Sequence, residues 1–336
     1  MLFISHFDED HTNGLEYLTD KGTIDSDTYV VVPFSYPLLI MAMESDFPSM
    51  AKFIERAIDR KVNLIGIRGG SLERRPERFN RDEKHEQALT LDNDNLFTIW
   101  DIEGKKPLWY YYPFMTVEAD SLQEEFIRKI SDSEELNDLD LNNAKDVIAN
   151  KEKLKEIYKG IGKTQNSVTR INVNSLLMLS LPAIDVVYRW FSFMGYGVDA
   201  DVIKYTPGDY EYLMNEMRCK DWITGPVCLY TGDSVITRAK IRKYGLDVIN
   251  RVKELSGLEA VHLMQIPHHG SRDSFTPSLL SDVRCGVDAV FINGNPNRKI
   301  YRGYREHILE AAKARMPLHI VSTFFQSRIE MFGVLR

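Results

Sequence analysis

Two short stretches of the chain concentrate side chains that bind metals. Residues 3–14 read FISHFDEDHTNG and residues 266–271 read IPHHGS. The first holds His6, Asp8, Asp10 and His11 as H-x-D-x-D-H, directly behind an apolar run. In an extended segment residues i, i+2 and i+4 point the same way. His6, Asp8 and Asp10 are therefore expected to converge, with His11 turning off the end as a helix begins. Imidazole with carboxylate suits zinc, manganese or iron, whereas an all-oxygen set suits magnesium or calcium. Four such side chains in six residues exceed what one tetrahedral site needs from a single segment, which points to two metals sharing a cleft. The plain alternative is a polar turn with a helix cap, and Asp10 alone would mean little. Yet 4 of the 8 histidines fall in these two stretches.

In the second stretch, His268 and His269 leave a strand and meet Gly270, which lets the backbone approach closely. Adjacent strand residues point apart, so one of the pair is expected to bind a metal directly. A third, weaker stretch, YTGDS, sets Asp233 in a glycine turn after an apolar strand, where Asp is commonly only a cap. His85, His262, His307 and His319 lack such company and read as surface or packing residues.

The elements that must position these groups can be read from hydrophobic period. MLFIS at 1–5, TYVVVPFSYP at 28–37 and VNLIGI at 62–67 read as strands. Residues 38–60 carry apolar positions at helical spacing, interrupted near Pro48. NLFTIW and LWYYYPF form an expected hairpin around Glu103–Pro107. Residues 117–159 read as charged helices, with five acids and no base between Asp132 and Asp140. This pattern fits a solvated face or connector, or more sharply a lid or partner surface. Strands follow at 167–181, 225–233, 260–266, 289–294 and 318–324, with helices near 235–256 and 303–315. Strands alternate with helices and carry polar motifs at their ends, so the fold class is α/β with chemistry at strand ends.

Composition narrows the field. The 336 residues are 43% hydrophobic and 27% charged, which suits a globular chain with a large core. No apolar run reaches the roughly 18 residues that span a bilayer, and no secretory leader is evident. The three cysteines are odd in number and unpaired in spacing, as in a reducing cytoplasm. A net charge of −7 gives no global field for nucleic acid, so any such binding needs a local patch.

FISHFDEDHTNGL, NSLLML, LYTGD and IPHHGS occur in the order of the metallo-β-lactamase fold, and the chain most resembles the hydrolase domain of the competence (DNA-uptake channel) proteins. That branch has Asp at the middle of the first motif, as Asp8 is here, and an Asn/Ser strand in mid-chain, here Asn174–Ser175. The resemblance implies a single αββα domain over 1–336, with insertions at about 70–160 and 183–221. It implies two divalent metal ions, zinc or manganese. His6 and Asp8 would face one. Asp10, His11 and one of the histidine pair, preferably His269, would face the other, and Asp233 would bridge. His268 would support that ligand or touch substrate. Asp10 or Asp8 would orient or deprotonate the attacking water. Two departures stand out. Family members place a hairpin and a further strand before the first motif. Here a bare sheet edge is expected that an inserted segment, an upstream extension or another chain would cover. They also often place a histidine where this chain has Tyr304.

The resemblance implies a phosphodiester substrate such as nucleic acid or a nucleotide; the lack of a spanning apolar run implies no membrane partner. Arg298, Lys299, Arg302 and Arg305 alternate with Tyr301 and Tyr304, and Arg272 follows HHGS, which suits phosphates and stacked bases. The plain alternative is a solvated helix start. Asn174, Ser175, Arg272, Arg302 and Tyr304 are thus the expected substrate contacts. Two other classes stay open: a hydrolase of small esters or lactones on the same fold, and a non-catalytic subunit with an incomplete site.

Overall fold

A computed structural model describes residues 1–69, 77–79, 88–92, 94–101, 103–116, 121–161, 175–183, 227–294 and 304–321. The chain opens with β1 (Leu2–Phe3), α1 (Glu9–Thr12), α2 (Leu15–Asp20), β2 (Tyr29–Val32), a 3-10 segment (Pro37–Met43), α3 (Pro48–Asp59) and β3 (Asn63–Ile67). Next come β4 (Glu77–Arg78), β5 (Ala88–Leu91), β6 (Asn95–Trp100), β7 (Pro107–Phe114), α4 (Ser121–Ser131), α5 (Ala144–Ala149) and α6 (Lys151–Lys159). The last part holds β8 (Leu177–Pro182), β9 (Cys228–Tyr230), α7 (Arg238–Ser256), β10 (Val261–Gln265), α8 (Leu280–Val283), β11 (Val287–Asn293), α9 (Arg305–Ala314) and β12 (Leu318–Val321).

These strands form two sheets, one parallel and one mixed. The first runs β1-β2-β3-β5 and the second β12-β11-β10-β9-β8-β7-β6-β4. The two-residue period explains how they stack. Val30 and Val32 of β2 join a core shared with α2, α3, α4 and α6, while Val31 turns to the opposite face. There Val31, Ile65 and Ile67 meet Phe97 of the second sheet, and the Phe3 ring lies 5.5 Å from Tyr111 and 5.8 Å from Phe97. A strand buried on both faces needs apolar side chains at successive positions, which is why YVVV does not alternate with polar residues. Each fully buried valine contributes about 1.5 kcal/mol or more. The far face of the second sheet carries Tyr110, Tyr112, Leu179 and Leu181 against Tyr244 and Val252 of α7, Leu280 of α8 and Ala311 of α9.

The helical stretch expected as connector or lid is part of the main core. Phe126, Ile130, Val147, Leu154 and Tyr158 are buried with α3 and the first sheet. Its acids mark only the outward face. The break expected near Pro48 falls between the 3-10 segment and α3, which Pro48 starts, where its missing N–H costs nothing. The β6–β7 hairpin is antiparallel as expected. β1 pairs with β2 alone and is an edge strand among the described residues.

The candidate site follows from this topology. β9, β10 and β11 are mutually parallel, so the turns after β9 and β10 emerge at one edge. The segment after β1 arrives there too, tied by the Leu176 N–H donating to the Ser5 carbonyl at 2.7 Å. No described helix is long and apolar enough to cross a membrane.

Candidate metal centre at the strand ends

The two signature stretches, far apart in sequence, meet at this edge. His6 Nε2 lies 3.5 Å from Asp233 Oδ2 and 3.8 Å from Asp8 Oδ2, and His268 Nε2 lies 3.7 Å from the same Asp233 oxygen. The His11 ring sits 4.0 Å from that of His6 and 6.5 Å from that of His269. One ligand atom from each of His6, His11 and Asp233 lies within 4.8 Å of the others.

These spacings are too long for hydrogen bonds. They are close to the ~3.3–3.5 Å that separates two ligands bonded at about 2.0–2.1 Å to one tetrahedral ion. His6 makes the stronger case. It is 1% exposed, and its Nε2 has no hydrogen-bond partner. An orphaned buried nitrogen costs about 1–3 kcal/mol, so its place among carboxylates and imidazoles fits a cation. Burial, and then the neighbouring His11, His268 and His269, pushes the His6 imidazole down to about 3, so it stays neutral and keeps a lone pair at ordinary pH.

Local folding explains how each group arrives. Helix α1 starts at Glu9: the N–H groups of His11 and Thr12 donate to the Asp8 carbonyl at 3.0 and 3.1 Å. The extended geometry expected through Asp10 therefore stops at Asp8. His11 is carried in by a helical turn, not by strand alternation. Asp8 occupies the helix N-cap, yet its carboxylate makes no cap bond and stays near His6. The Asp10 side chain lies outside the described residues.

The histidine pair departs from the sequence expectation. His268 (φ 48°) and His269 (φ 50°) are both left-handed, followed by Gly270 at φ 73°. Two consecutive non-glycine residues there cost on the order of 1–2 kcal/mol each, strain of the sort that collects at functional sites. The turn brings both rings to the site instead of splaying them apart. His269 Nδ1 sits 3.0 Å from the Asn293 carbonyl, which can only accept, so Nδ1 carries the proton and Nε2 offers a lone pair. Ser5 Oγ meets His6 Nδ1 at 2.9 Å, and Ser274 Oγ meets His268 Nδ1 at 3.1 Å. Asp233 is held by its own turn: Gln265 Oε1 accepts from the Thr231 and Gly232 N–H groups at 3.2 and 3.4 Å.

The expected substrate contacts divide. Ser175 is buried beneath the site, and its Cβ lies 3.6 Å from where a Cβ on Gly232 would sit. Tyr304 is fully buried, its ring against Gly270, so it props the histidine turn from behind and does not face a substrate. Arg272 is ion-paired with Glu306 at the surface. Asn174, Arg298, Lys299, Tyr301 and Arg302 lie outside the described residues. His262 and His307 are buried packing residues, as expected. The Val227 N–H donates to His262 Nδ1 at 3.1 Å. Burial pushes the Cys228 thiol up to about 12, which makes it a packing group and not a thiolate ligand. Ser5, Gln265, Ser274 and the Asn293 carbonyl carried no sequence signal, because each acts through hydrogen bonds that its residue type does not announce.

What fold and site define is a mixed α/β protein with a His/Asp cluster able to hold a metal at a shared strand edge. No family model, no curated protein and no solved structure matches the chain.

Proposed function

We propose that the chain is a metal-dependent hydrolase of the metallo-β-lactamase fold, cleaving phosphodiesters of nucleic acid or a nucleotide. The observation that carries the reading is the orphaned, buried His6 Nε2 facing Asp233, with His11, His268, His269 and Asp8 around it. Two sheets packed face to face with helices outside, and motifs from both halves meeting at one edge, support the fold assignment. Six ligand-type side chains from three segments support two cations, zinc or manganese: more donors are gathered than one tetrahedral ion takes. Bound there, divalent cations supply Lewis acidity and bring the pKa of a water towards neutral.

The chain's own residues would do the rest. His6, His11, Asp233 and the histidine pair hold the cations. Asp8, partly exposed and released from capping, accepts the proton of the attacking water. The imidazoles of His6, His268 and His269, held through Nδ1, keep the cradle rigid so that little reorganisation is needed as charge develops. The phosphodiester preference rests on the resemblance of the motifs. A segment or second chain lying along the β1 edge fits the same reading.

The test is hydrolysis of single- and double-stranded DNA and RNA, cyclic dinucleotides and a panel of small esters and lactones, with zinc or manganese. Wild-type protein is expected to cleave at least one phosphodiester class, and Asp8→Asn to lose about 100-fold or more of that rate. Cleavage of esters alone would replace the substrate assignment. Inactivity on every substrate by metal-loaded protein would favour a binding subunit.

A further inference from the structure

Ser274 joins the two loops of the candidate site. It is 2% exposed and sits six residues past His268. Its carbonyl accepts the Ile236 N–H at 2.8 Å, which ties it to the segment following Asp233, and Ile236 pairs with Phe275 in an isolated parallel bridge. Its N–H donates to the Ser271 carbonyl at 3.2 Å, while the Ser271 N–H donates to the His268 carbonyl at 2.8 Å, closing the histidine turn on itself. The His268 N–H donates to the Gly232 carbonyl at 3.1 Å, so the turn is also fastened directly to the Asp233 loop. The Ser274 hydroxyl then reaches His268 Nδ1 at 3.1 Å, leaving Nε2 3.7 Å from Asp233 Oδ2.

A neutral histidine carries its proton on one nitrogen, and the partner of the other nitrogen selects which. His269 has its choice made by a carbonyl. His268 has a hydroxyl at Nδ1, a group that accepts or donates. We propose that Ser274 is a positioning residue that accepts from His268 Nδ1–H, presenting the Nε2 lone pair beside Asp233 and making His268 a direct metal ligand alongside His269. The proposal rests on the metal-site reading above. It revises the expectation that only one of the two adjacent histidines binds: the left-handed backbone brings both to the site, and each has its own lock. An outer-shell hydrogen bond of this kind typically tunes metal affinity by about 10–100-fold.

The experiment compares full-length wild type, Ser274→Ala and Ser274→Thr. Alanine keeps every backbone bond and removes only the hydroxyl, and threonine keeps the hydroxyl. Cobalt(II) affinity and visible absorption are read by titration, and the ring nitrogen signals of His268 are read by NMR in chelator. The expected result is a loss of about 10-fold or more in cobalt affinity for alanine, an altered cobalt spectrum and a His268 ring shifted towards the Nε2–H form. Threonine is expected to restore all three. If wild type binds no cobalt, the metal-site reading itself fails. If wild type binds cobalt and alanine binds it within two-fold, or leaves the His268 tautomer unchanged, the role of Ser274 is overturned. The NMR readout decides the matter even if threonine does not fit.

Discussion

An Asp233→Asn protein is expected to keep its fold and bind divalent metal far more weakly. Asparagine matches aspartate in shape, so the loop bonds to Gln265 and the His268 N–H survive. What disappears is the one carboxylate that both His6 and His268 approach, at 3.5 and 3.7 Å. A neutral amide is a poor ligand, and of the described carboxylates it leaves only Asp8, 3.8 Å from His6, to balance a divalent ion among the imidazoles. Zinc affinity is expected to fall by more than about 100-fold and hydrolysis by more than about 1,000-fold. Thermal unfolding offers a simple check. Zinc at 100 times its dissociation constant adds about 2.7 kcal/mol to wild type, a rise of roughly 4 °C in melting temperature. The variant is expected to show no rise under the same conditions, with a melting temperature in chelator close to that of wild type. An equal zinc-dependent rise in both proteins would remove Asp233 from the site.

Gly232→Ala is expected to damage stability and site together. Gly232 has φ 53°, where a Cβ costs about 1–2 kcal/mol. That Cβ would lie 2.8 Å from Ser5 Cβ and 3.6 Å from Ser175 Cβ, so the Ser5 segment must shift to admit it. Overpacking adds about 1–3 kcal/mol, for a total loss of about 2–5 kcal/mol. The clash falls on Ser5, whose hydroxyl holds His6 Nδ1, and on the turn whose carbonyl anchors His268. Denaturant unfolding is therefore expected to show a lower midpoint with an unchanged slope, and calorimetric titration a weaker cation site. A variant as stable as wild type and binding zinc equally well would contradict the packing described beneath the site.

Much of this arrangement could be read from the chain. YVVV and NLIGI declare strands, NLFTIW and LWYYYPF declare a hairpin, and the clustering of histidines declares a candidate site. The misses have physical causes. A helix can begin at any residue able to cap it, and here Asp8 does so through its backbone, so Asp10 never extends the strand. Left-handed backbone at His268 and His269 has no side-chain pattern of its own, so the pair was expected to splay apart. In α4 to α6 the acids conceal an apolar stripe, Phe126, Ile130, Val147, Leu154 and Tyr158, that completes the first core. Tyr304 looks available for substrate in sequence, but it is fully buried against Gly270, and that is a long-range fact.

Anomalous diffraction at the zinc edge, from crystals grown with zinc, tests the central claim most directly. A peak is predicted within about 2.0–2.2 Å of both His6 Nε2 and the Asp233 carboxylate. Well-ordered density for His6 and Asp233 with no anomalous peak between them, or a peak bound only elsewhere, would contradict it.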